Sequence, residues 1–399
     1  MADLQLTSFI SVPDVASRQS WPRSRKVCSH RDSVGKPHLI RASLCCHSVD
    51  ACRIFTLTNR DDQLVACESS VAENARPIAS FGPKILIVLV RYQTLLQDSQ
   101  TMRTLGASLA ADTELGQYFS TLVWDNTPGG IPMGQSVSGF PMPIEYRHSG
   151  ENAGVAGAYN YAMELAEQRG FSWLLLLDQD TTLSPGFLAA MHGHASRLEK
   201  EEKIAAIAPT MLMGNLPVSP KIMSRWGGAK DPSPGFEGPV FKELIIMNSG
   251  MLLRVAALRR IGGYSMDFWL DFSDRYVCHM LAKQKYGAWL AGEQRLQHEV
   301  SIMSGEGTTS MERYENLMGA QDAYFSQYKS LLRNAVFCQR LLRIALRERK
   351  IRPERSRLLF THLLRRFTVP KRRRLEEWRR TVSARRKATG GRTPGSAPS

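Results

Sequence analysis

Two aspartates follow directly on a run of leucines near the middle of the chain. The run Leu174 to Leu177 predicts a strand buried on both faces, and Asp178 and Asp180 come immediately after it, one residue apart. Carboxylates this close repel each other, and a hard divalent cation with oxygen ligands removes that penalty. The pattern indicates a metal site that holds a diphosphate. The alternative is that one aspartate caps the helix beginning near Ser184 and the other is solvated.

Polar residues follow two other apolar runs in the same way. Arg91 and Tyr92 come after the run Ile85 to Val90, and Asp125 comes after the run Ser120 to Trp124. Ligands of open α/β sheets bind outside the carboxyl ends of the strands, so these side chains are expected at one edge of a sheet. For Asp125 the alternative is a solvated aspartate in a turn.

The elements that must position these residues begin near residue 81. From there to about residue 261, short apolar runs alternate with helical patterns, which predicts an α/β fold with a mainly parallel central sheet covered by helices. The Gly- and Pro-rich stretch 214–238 is predicted to be a long loop. From Gln321 the pattern becomes helical and basic.

These patterns divide the chain into four parts. Residues 1–80 show no sustained hydrophobic period and are predicted to be poorly ordered, and residues 81–330 form the α/β domain. Residues 331–369 form basic amphipathic helices, and residues 370–399 form a disordered basic tail. Five of the seven cysteines precede residue 80, so a disulfide framework is not expected.

The net charge of +15 is concentrated in the C-terminal part. Residues 331–399 contain 21 Lys and Arg against 4 acidic residues, whereas residues 81–330 contain 21 against 25. Two Arg-flanked amphipathic stretches, 331–346 and 358–367, favour contact with an anionic membrane surface. The alternatives are packing on the α/β domain with a solvated end, and nucleic-acid binding, which the lack of a recognisable module disfavours.

Several classes of protein are disfavoured. The longest aliphatic runs are too short to cross a bilayer, and the stretch Met1 to Ser11 lacks the basic and apolar parts of a secretory signal. We therefore expect a cytoplasmic protein, peripheral at the inner face of the cytoplasmic membrane. The sequence has no G-x-x-x-x-G-K-[ST] motif, which disfavours P-loop nucleoside triphosphatases. No G-x-G-x-x-G follows the first strand, which disfavours dinucleotide-binding enzymes.

An ordered series of short motifs between Ile85 and about Gly305 resembles family 2 glycosyltransferases, and the D-Q-D-T form resembles their rhamnosyltransferase branch. The motifs are Asp125-Asn126, Glu151-Asn152-x-Gly154 with Asn160, Leu177-Asp178-Gln179-Asp180-Thr181, Asn248-Ser249-Gly250, Ile261-Gly262-Gly263-Tyr264, Leu270-Asp271-x-x-Asp274 and His298. The resemblance implies a GT-A fold, a nucleoside-diphosphate-sugar donor, Mn²⁺ or Mg²⁺, and inverting transfer. It favours dTDP-rhamnose as donor and a glycan or lipid-linked acceptor, in surface polysaccharide synthesis.

The same resemblance implies roles on the donor side. Asp125 matches the residue that reads the donor base, and Tyr92 lies in the loop that packs against that base. Asn152 and Gly154 match the donor-pocket loop, where a small residue permits close backbone approach; the alternative for Asn152 is helix capping.

The residues around the diphosphate are implied in the same way. Asp178 matches the residue that contacts the donor ribose or sugar, and Asp180 matches the metal ligand. His298 matches a histidine that joins the metal or diphosphate shell, against the alternative of a surface histidine.

On the acceptor side, Asp274 matches the general base that takes a proton from the acceptor hydroxyl, with Asp271 as the substitute candidate. The alternative for this pair is capping of a helix. Trp269, Tyr264 and Trp226 are candidates for stacking on an acceptor sugar, and the alternative is that they belong to the core.

The segment after Asp274 departs from the family pattern. Tyr276 and Met280 stand where relatives typically have a carboxylate and an arginine. A second hypothesis is therefore a catalytically silent protein that binds a sugar nucleotide or a glycan.

Overall fold

A computed structural model describes residues 82–131, 140, 142–150, 152–224, 228–298 and 310–390. The predicted poorly ordered segment 1–80, Trp226 and the end of the predicted tail, 391–399, lie outside the described residues.

The strands, labelled in chain order, are β1 (Ile85–Arg91), β2 (Phe119–Asp125), β3 (Ile144–His148), β4 (Trp173–Asp178), β5 (Thr181–Thr182), β6 (Ile204–Met213), β7 (Leu216–Ser219), β8 (Lys221–Met223), β9 (Ala229–Lys230), β10 (Glu237–Val240), β11 (Leu244–Ile245), β12 (Leu252–Arg254) and β13 (Gly287–His298). The α-helices are α1 (Gln100–Ala111), α2 (Gly154–Arg169), α3 (Phe187–Arg197), α4 (Val255–Arg260), α5 (Ser273–Lys283), α6 (Met311–Tyr328), α7 (Leu331–Glu348), α8 (Pro353–Thr368) and α9 (Lys371–Gly390). Short 3₁₀ turns cover Leu96–Asp98, Thr113–Tyr118 and Met266–Phe268.

A large sheet runs in the order β10-β13-β6-β12-β4-β1-β2-β3. The strands β3, β2, β1 and β4 are parallel neighbours, and so are β6 and β13. Strand β12 lies between β4 and β6 and is antiparallel to both. The predicted α/β fold with a mainly parallel sheet and C-terminal helices is therefore confirmed.

Strand β1 shows why the sheet is buried on both faces. Side chains alternate across a strand, so Ile85, Ile87 and Leu89 pack into one apolar cluster with α1 and α3. Leu86 and Val88 point the other way, into a cluster shared with α2. A continuous aliphatic run is what a strand covered by helices on both faces requires.

The stretch predicted as a long loop, 214–238, contains regular structure. Strand β7 pairs with the end of β6, and β8 and β9 form a small second sheet with β11. The prediction failed because each of these strands is two to four residues long and Gly and Pro lie between them. Such strands are stabilised by their partners rather than by a hydrophobic period of their own.

The C-terminal region also differs from the prediction, since 371–390 of the predicted disordered tail form helix α9. The indole of Trp378 packs where Gly319 of α6 has no side chain, and its Nε1 donates to the Asp267 carbonyl at 2.8 Å. Arg374 forms an ion pair with Asp322 at 2.9 Å. Arg379 and Arg385 likewise pair with acids of preceding elements, Asp267 and Glu315. Among the described helices, none is both long and apolar enough to span a bilayer.

We expect Trp378→Ala to lower the free energy of unfolding by about 2–4 kcal/mol, because it removes a large side chain that is 8% exposed and leaves a cavity against α6. Urea unfolding followed by fluorescence or circular dichroism measures this change. The control is Arg372→Ala on the same helix, where the side chain is 92% exposed and a change within about 0.5 kcal/mol is expected. Equal stability of the Trp378 variant and the unsubstituted protein would show that α9 is not docked.

Candidate active site

The structure brings Asp178, Asp180 and His298 together at the carboxyl end of β4. One ligand atom from each residue lies within 4.8 Å of the others. The Asp180 Oδ1 and His298 Nδ1 atoms are 3.5 Å apart. Two carboxylates and an imidazole are a donor set that suits a divalent cation such as Mn²⁺. Asp178 and His298 are 120 positions apart in the sequence, and only the fold makes them neighbours.

Two buried hydroxyl groups hold the turn that carries the aspartates. Thr101, at the start of α1, donates to the Thr181 carbonyl and accepts from the Thr181 N–H, both at 2.9 Å. The Asp178 N–H donates to Ser249 Oγ at 3.0 Å. Because these contacts fix the backbone on either side of Asp180, the carboxylates are held in place without relying on a ligand.

His298 reaches the site through strand pairing. Strands β13 and β5 are antiparallel, with His298 opposite Thr181. The Nδ1 atom of His298 lies 3.2 Å from Thr181 Oγ1, which is 2.7 Å from Ser249 Oγ. The imidazole is 9% exposed, so the alternative of a surface histidine is wrong.

The local electrostatics disfavour a charged Asp178. Burial and the neighbouring charges of Asp180 and Asp274 raise the pKa of Asp178 to about 6, against the opposing effect of His298. A raised pKa of a carboxyl group at a strand end is typical of functional sites. A bound cation would remove the repulsion between carboxylates that adds to burial in raising the pKa of Asp178.

Asp274 lies in the first turn of α5, close enough to Asp178 for their charges to interact. Its Oδ1 accepts from the Arg275 N–H at 2.7 Å, and burial raises the pKa of Asp274 above its usual value. The side chain is half-buried. A carboxylate with a raised pKa is a stronger base, which suits the predicted role of proton acceptor.

A chain of contacts joins Asp274 to the group formed by Asp178, Asp180 and His298. Asn248 precedes Ser249, and its Nδ2 donates to Ser273 Oγ at 3.1 Å, next to Asp274. The turn is tight because Gly250 has φ +82° and a Cβ there would lie 2.2 Å from Leu296. The Asn-Ser-Gly motif therefore connects the end of β4 with the start of α5.

Asp271, the substitute candidate for the base, has other partners. It is buried, accepts from Asn316 Nδ2 at 2.6 Å and forms an ion pair with Arg313, both on α6. These contacts attach α6 to the segment before α5. Of the two aspartates, Asp274 is the one whose charge interacts with Asp178.

Asp125 is fully buried. Its carboxylate accepts from Arg91 and from the Tyr146 hydroxyl, both at 2.8 Å, and from the backbone N–H groups of Thr127 and Ile131. Burial alone would raise the pKa of Asp125, but the hydrogen bonds hold it below the usual value. The alternative of a solvated turn aspartate is wrong. The role in reading a base stays a prediction, and the observed role is to hold the loop after β2.

Tyr92 lies beside the aspartate turn. Its N–H donates to Gln179 Oε1 at 2.8 Å, and Gln179 Nε2 donates back to the Tyr92 carbonyl at 3.2 Å. The Tyr92 side chain is 38% exposed. These two hydrogen bonds therefore join the loop after β1 to the turn after β4, and the exposed Tyr92 ring lies beside that turn.

Asn152 and Gly154 show why the loop before α2 needs a small residue. Asn152 Oδ1 accepts from the Gly154 N–H at 2.9 Å, whereas the N-cap residue of α2 is Ala153, which makes no side-chain cap. A Cβ on Gly154, which has φ +63°, would lie 2.2 Å from the Trp269 carbonyl oxygen. The small residue was predicted to let a donor approach the backbone, but in the structure it is the Trp269 carbonyl group that approaches Gly154.

The two described candidates for sugar stacking lie in the core. Tyr264 is 3% exposed and donates to Asn248 Oδ1 at 2.9 Å, and Trp269 is 4% exposed with its carbonyl accepting from the Ala156 N–H. Rings this buried have no face to offer a sugar, so the acceptor-binding prediction for them is wrong. They position α2 and the Asn-Ser-Gly turn instead.

Sequence reasoning missed the roles of Thr101 and Arg91. Thr101 lies in a helix with no motif of its own, and nothing in its neighbours indicates a contact 80 residues away. Arg91 follows a buried strand as Asp125 does, and because β1 and β2 are parallel and in register at these two residues, the pairing could have been expected.

We expect Asp178→Asn to stabilise the metal-free protein by roughly 1–3 kcal/mol at pH 8, because it removes a charge that burial and Asp180 disfavour. Asp178 has a folded-state pKa of about 6, above its unfolded value near 3.8, so the penalty is present above pH 6 and disappears as the pH falls toward 4. Urea unfolding in EDTA at pH 8 and pH 5 measures the gain, which should shrink at the lower pH.

The control is Glu164→Gln, at an exposed position of α2, where no gain is expected. A loss of stability in Asp178→Asn at pH 8 would contradict this description of the site.

Comparison with known structures finds glycosyltransferases of low sequence identity. GalNAc-T7 with UDP, GalNAc and Mn²⁺ is 11% identical over 63% of this chain and 50% of that chain, with a TM-score of 0.46. TarS 1-349 of S. aureus is 13% identical over 78% of this chain and 93% of that chain, with a TM-score of 0.40. Mannosyltransferase PcManGT from Pyrobaculum calidifontis with GDP-Man and Mn²⁺ is 13% identical over 80% of this chain and 78% of that chain, also with a TM-score of 0.40. The match thus spans half the length of GalNAc-T7.

Comparison of the sequence gives a more specific result over part of the chain. No curated protein matches it. Residues 131–215 match the model of the family described as glycosyl transferase family 2. That segment includes Asp178 and Asp180, whereas Asp274 and His298 lie outside it. The match to the segment that carries both aspartates supports a family 2 glycosyltransferase.

Proposed function

We propose that this protein is an inverting, metal-dependent glycosyltransferase with a GT-A fold that uses a nucleoside-diphosphate sugar. The observation that carries the proposal is the group Asp178, Asp180 and His298 at the carboxyl end of β4, with its atoms within 4.8 Å. The family match over residues 131–215 supports the same class of enzyme.

The donor set fits a divalent cation, Mn²⁺ or Mg²⁺. Asp180 and His298 would hold the cation, and Asp178 would lie beside it. Burial and the charge of Asp180 raise the pKa of Asp178. When bound, the cation supplies Lewis-acid stabilisation of the nucleoside diphosphate as it leaves. The chain itself keeps the ligands fixed through Thr101 and Ser249, so binding requires little rearrangement.

Asp274 is the group that we assign to proton removal. Inverting transfer needs a base on the face of the sugar opposite the diphosphate, to take the proton of the acceptor hydroxyl as it attacks the anomeric carbon. Asp274 lies near the metal-binding group but on a different element, α5. Since Asp271 is engaged with Arg313 and Asn316, it is less suited to the role.

The finer assignments rest on the sequence resemblance. The D-Q-D-T motif favours dTDP-rhamnose as donor. Tyr92, which is exposed beside the site, would pack against the donor base, and the loop that Asp125 holds would lie around that base. A glycan or a lipid-linked acceptor, a role in surface polysaccharide synthesis, and a cytoplasmic location at the inner face of the membrane complete the proposal.

We expect Asp274→Asn to lower transferase activity by about 10²–10⁴-fold while donor binding remains, because the variant keeps the shape of the side chain and loses only the base. Release of nucleoside diphosphate is measured with Mn²⁺ and a panel of donors that includes dTDP-rhamnose and UDP and GDP sugars. Donor binding is measured by the shift in melting temperature. Asp180→Asn should lose both donor binding and activity.

The control is Asp271→Asn, which removes the partner of Arg313 and should lower stability more than it lowers activity per folded molecule. Full activity in Asp274→Asn would refute the assignment of the base. Donor binding by the unsubstituted protein without any turnover would favour the silent binding protein, consistent with Tyr276 and Met280 in place of the family residues.

A further inference from the structure

The helices α7 and α8 expose apolar side chains on the faces that point away from the rest of the protein. Each helix also has an inner apolar face: Phe337, Leu341 and Ile344 of α7 and Leu359 of α8 are buried. The exposed apolar residues are Leu331, Leu332, Val336, Leu342 and Leu346 on α7, Ile351 in the turn, and Phe360, Leu364 and Phe367 on α8. A helix that is apolar on its outer side as well as its inner side requires a second partner.

These side chains are strongly exposed. Leu331 is 90% exposed, Ile351 is 73% exposed and Phe367 is 76% exposed. Isolated exposed apolar residues are common, but here they recur along two adjoining helices. We call the exposed apolar and basic residues of α7, α8 and their connecting turn the outer face.

The two helices are held in place by contacts with each other and with the α/β domain. Ser356 Oγ donates to the Ala345 carbonyl at 2.7 Å, joining α8 to α7. Arg366 contacts Asn334 and stacks 4.9 Å from the Phe337 ring centroid, so the end of α8 lies beside the start of α7. Phe367 and Leu331 are therefore near the same end of the helix pair.

The outer face is basic. Residues 331–368 contain eleven Lys and Arg and two Glu, and one of these, Glu348, is buried. Exposed basic residues lie among the exposed apolar ones: Arg343, Arg347, Arg349, Lys350 and Arg357. The partner must therefore bury apolar side chains and carry negative charge.

We propose that the outer face of α7 and α8 binds the surface of an anionic bilayer. Leucine and phenylalanine side chains would enter the boundary between headgroups and acyl chains, and the arginines would pair with anionic headgroups. A second copy of this chain would bring two basic surfaces together, which the charges oppose. A nucleic acid would pair with the arginines but leave Leu331, Ile351 and Phe367 in water. The proposal does not depend on the transferase activity.

The test is flotation of the full-length protein with vesicles, in the absence of nucleotide sugar and added metal. One set contains equal parts of phosphatidylglycerol and phosphatidylcholine, and the other contains phosphatidylcholine alone. We expect binding to the anionic vesicles, with weak binding to the neutral ones and loss of binding at high salt.

Two double variants separate the apolar and the electrostatic contributions. Leu364→Ser/Phe367→Ser and Arg343→Glu/Arg357→Glu should each weaken binding to anionic vesicles by about tenfold or more. All four side chains are exposed, so the melting temperature should not change. The matched controls are Leu216→Ser and Arg103→Glu, at exposed positions of β7 and α1, and these should bind as the unsubstituted protein does.

Failure of the unsubstituted protein to float with anionic vesicles would overturn the proposal, and so would unchanged flotation of both double variants. Sedimentation velocity on the same proteins tests the competing occupant: a dimer that Leu364→Ser/Phe367→Ser dissociates, with no vesicle binding, would assign the face to a second copy. These outcomes leave donor turnover untouched, so they are distinguishable from a failure of the proposed transferase activity.

Discussion

Repulsion between Asp178 and Asp180 is the constraint around which the end of the central sheet is organised. Their carboxylates, with the His298 imidazole, lie within 4.8 Å of one another, and burial limits the water that could screen them. The turn is held by hydrogen bonds from its backbone N–H groups to the hydroxyl oxygens of Thr101 and Ser249. The pairing of β5 with β13 brings the imidazole to the same place. The two apolar clusters of the sheet supply the stability that such a group requires.

Two carboxyl groups at strand ends on either side of β1, Asp125 on β2 and Asp178 on β4, behave in opposite ways. Asp125 has Arg91, Tyr146 and two N–H groups as partners, and these hydrogen bonds hold its pKa low against burial. Asp178 has acidic neighbours, and its pKa is raised to about 6. The same residue type thus forms a hydrogen-bonded structural contact at the end of β2 and a group whose charge is disfavoured at the end of β4. The second is the one that a cation would stabilise.

The sequence predicted the elements whose residues show a clear period. Strands β1, β2 and β4 lie within one residue of the apolar runs Ile85 to Val90, Ser120 to Trp124 and Leu174 to Leu177 that predicted them, because each run marks its strand locally. The pair Asp178 and Asp180 was found from its place after a buried strand, and His298 only from the ordered motifs. The Asp271–Arg313 ion pair could not be found, because it depends on how α6 packs.

The errors concern features that tertiary contacts decide. Tyr264 and Trp269 are aromatic residues next to a conspicuous motif, and nothing in the sequence distinguishes a ring in the core from one at a site. Helix α9 looks like a charged tail because its stabilising partners, Asp322 and Asp267, lie 50 to 110 residues earlier. Patterns of apolar and polar residues predict which face of an element is apolar, but they do not predict which acidic side chain an arginine will pair with.

We propose that one cation is held by this chain and by a nucleoside diphosphate together. Electron–nuclear double resonance on Mn²⁺ bound to the protein in the presence of dTDP measures this directly, because couplings to ¹⁴N and ³¹P report the ligands of the same ion. We expect both couplings in the unsubstituted protein and loss of the ¹⁴N coupling in His298→Ala. A spectrum of fully hydrated Mn²⁺, with neither coupling, would contradict it.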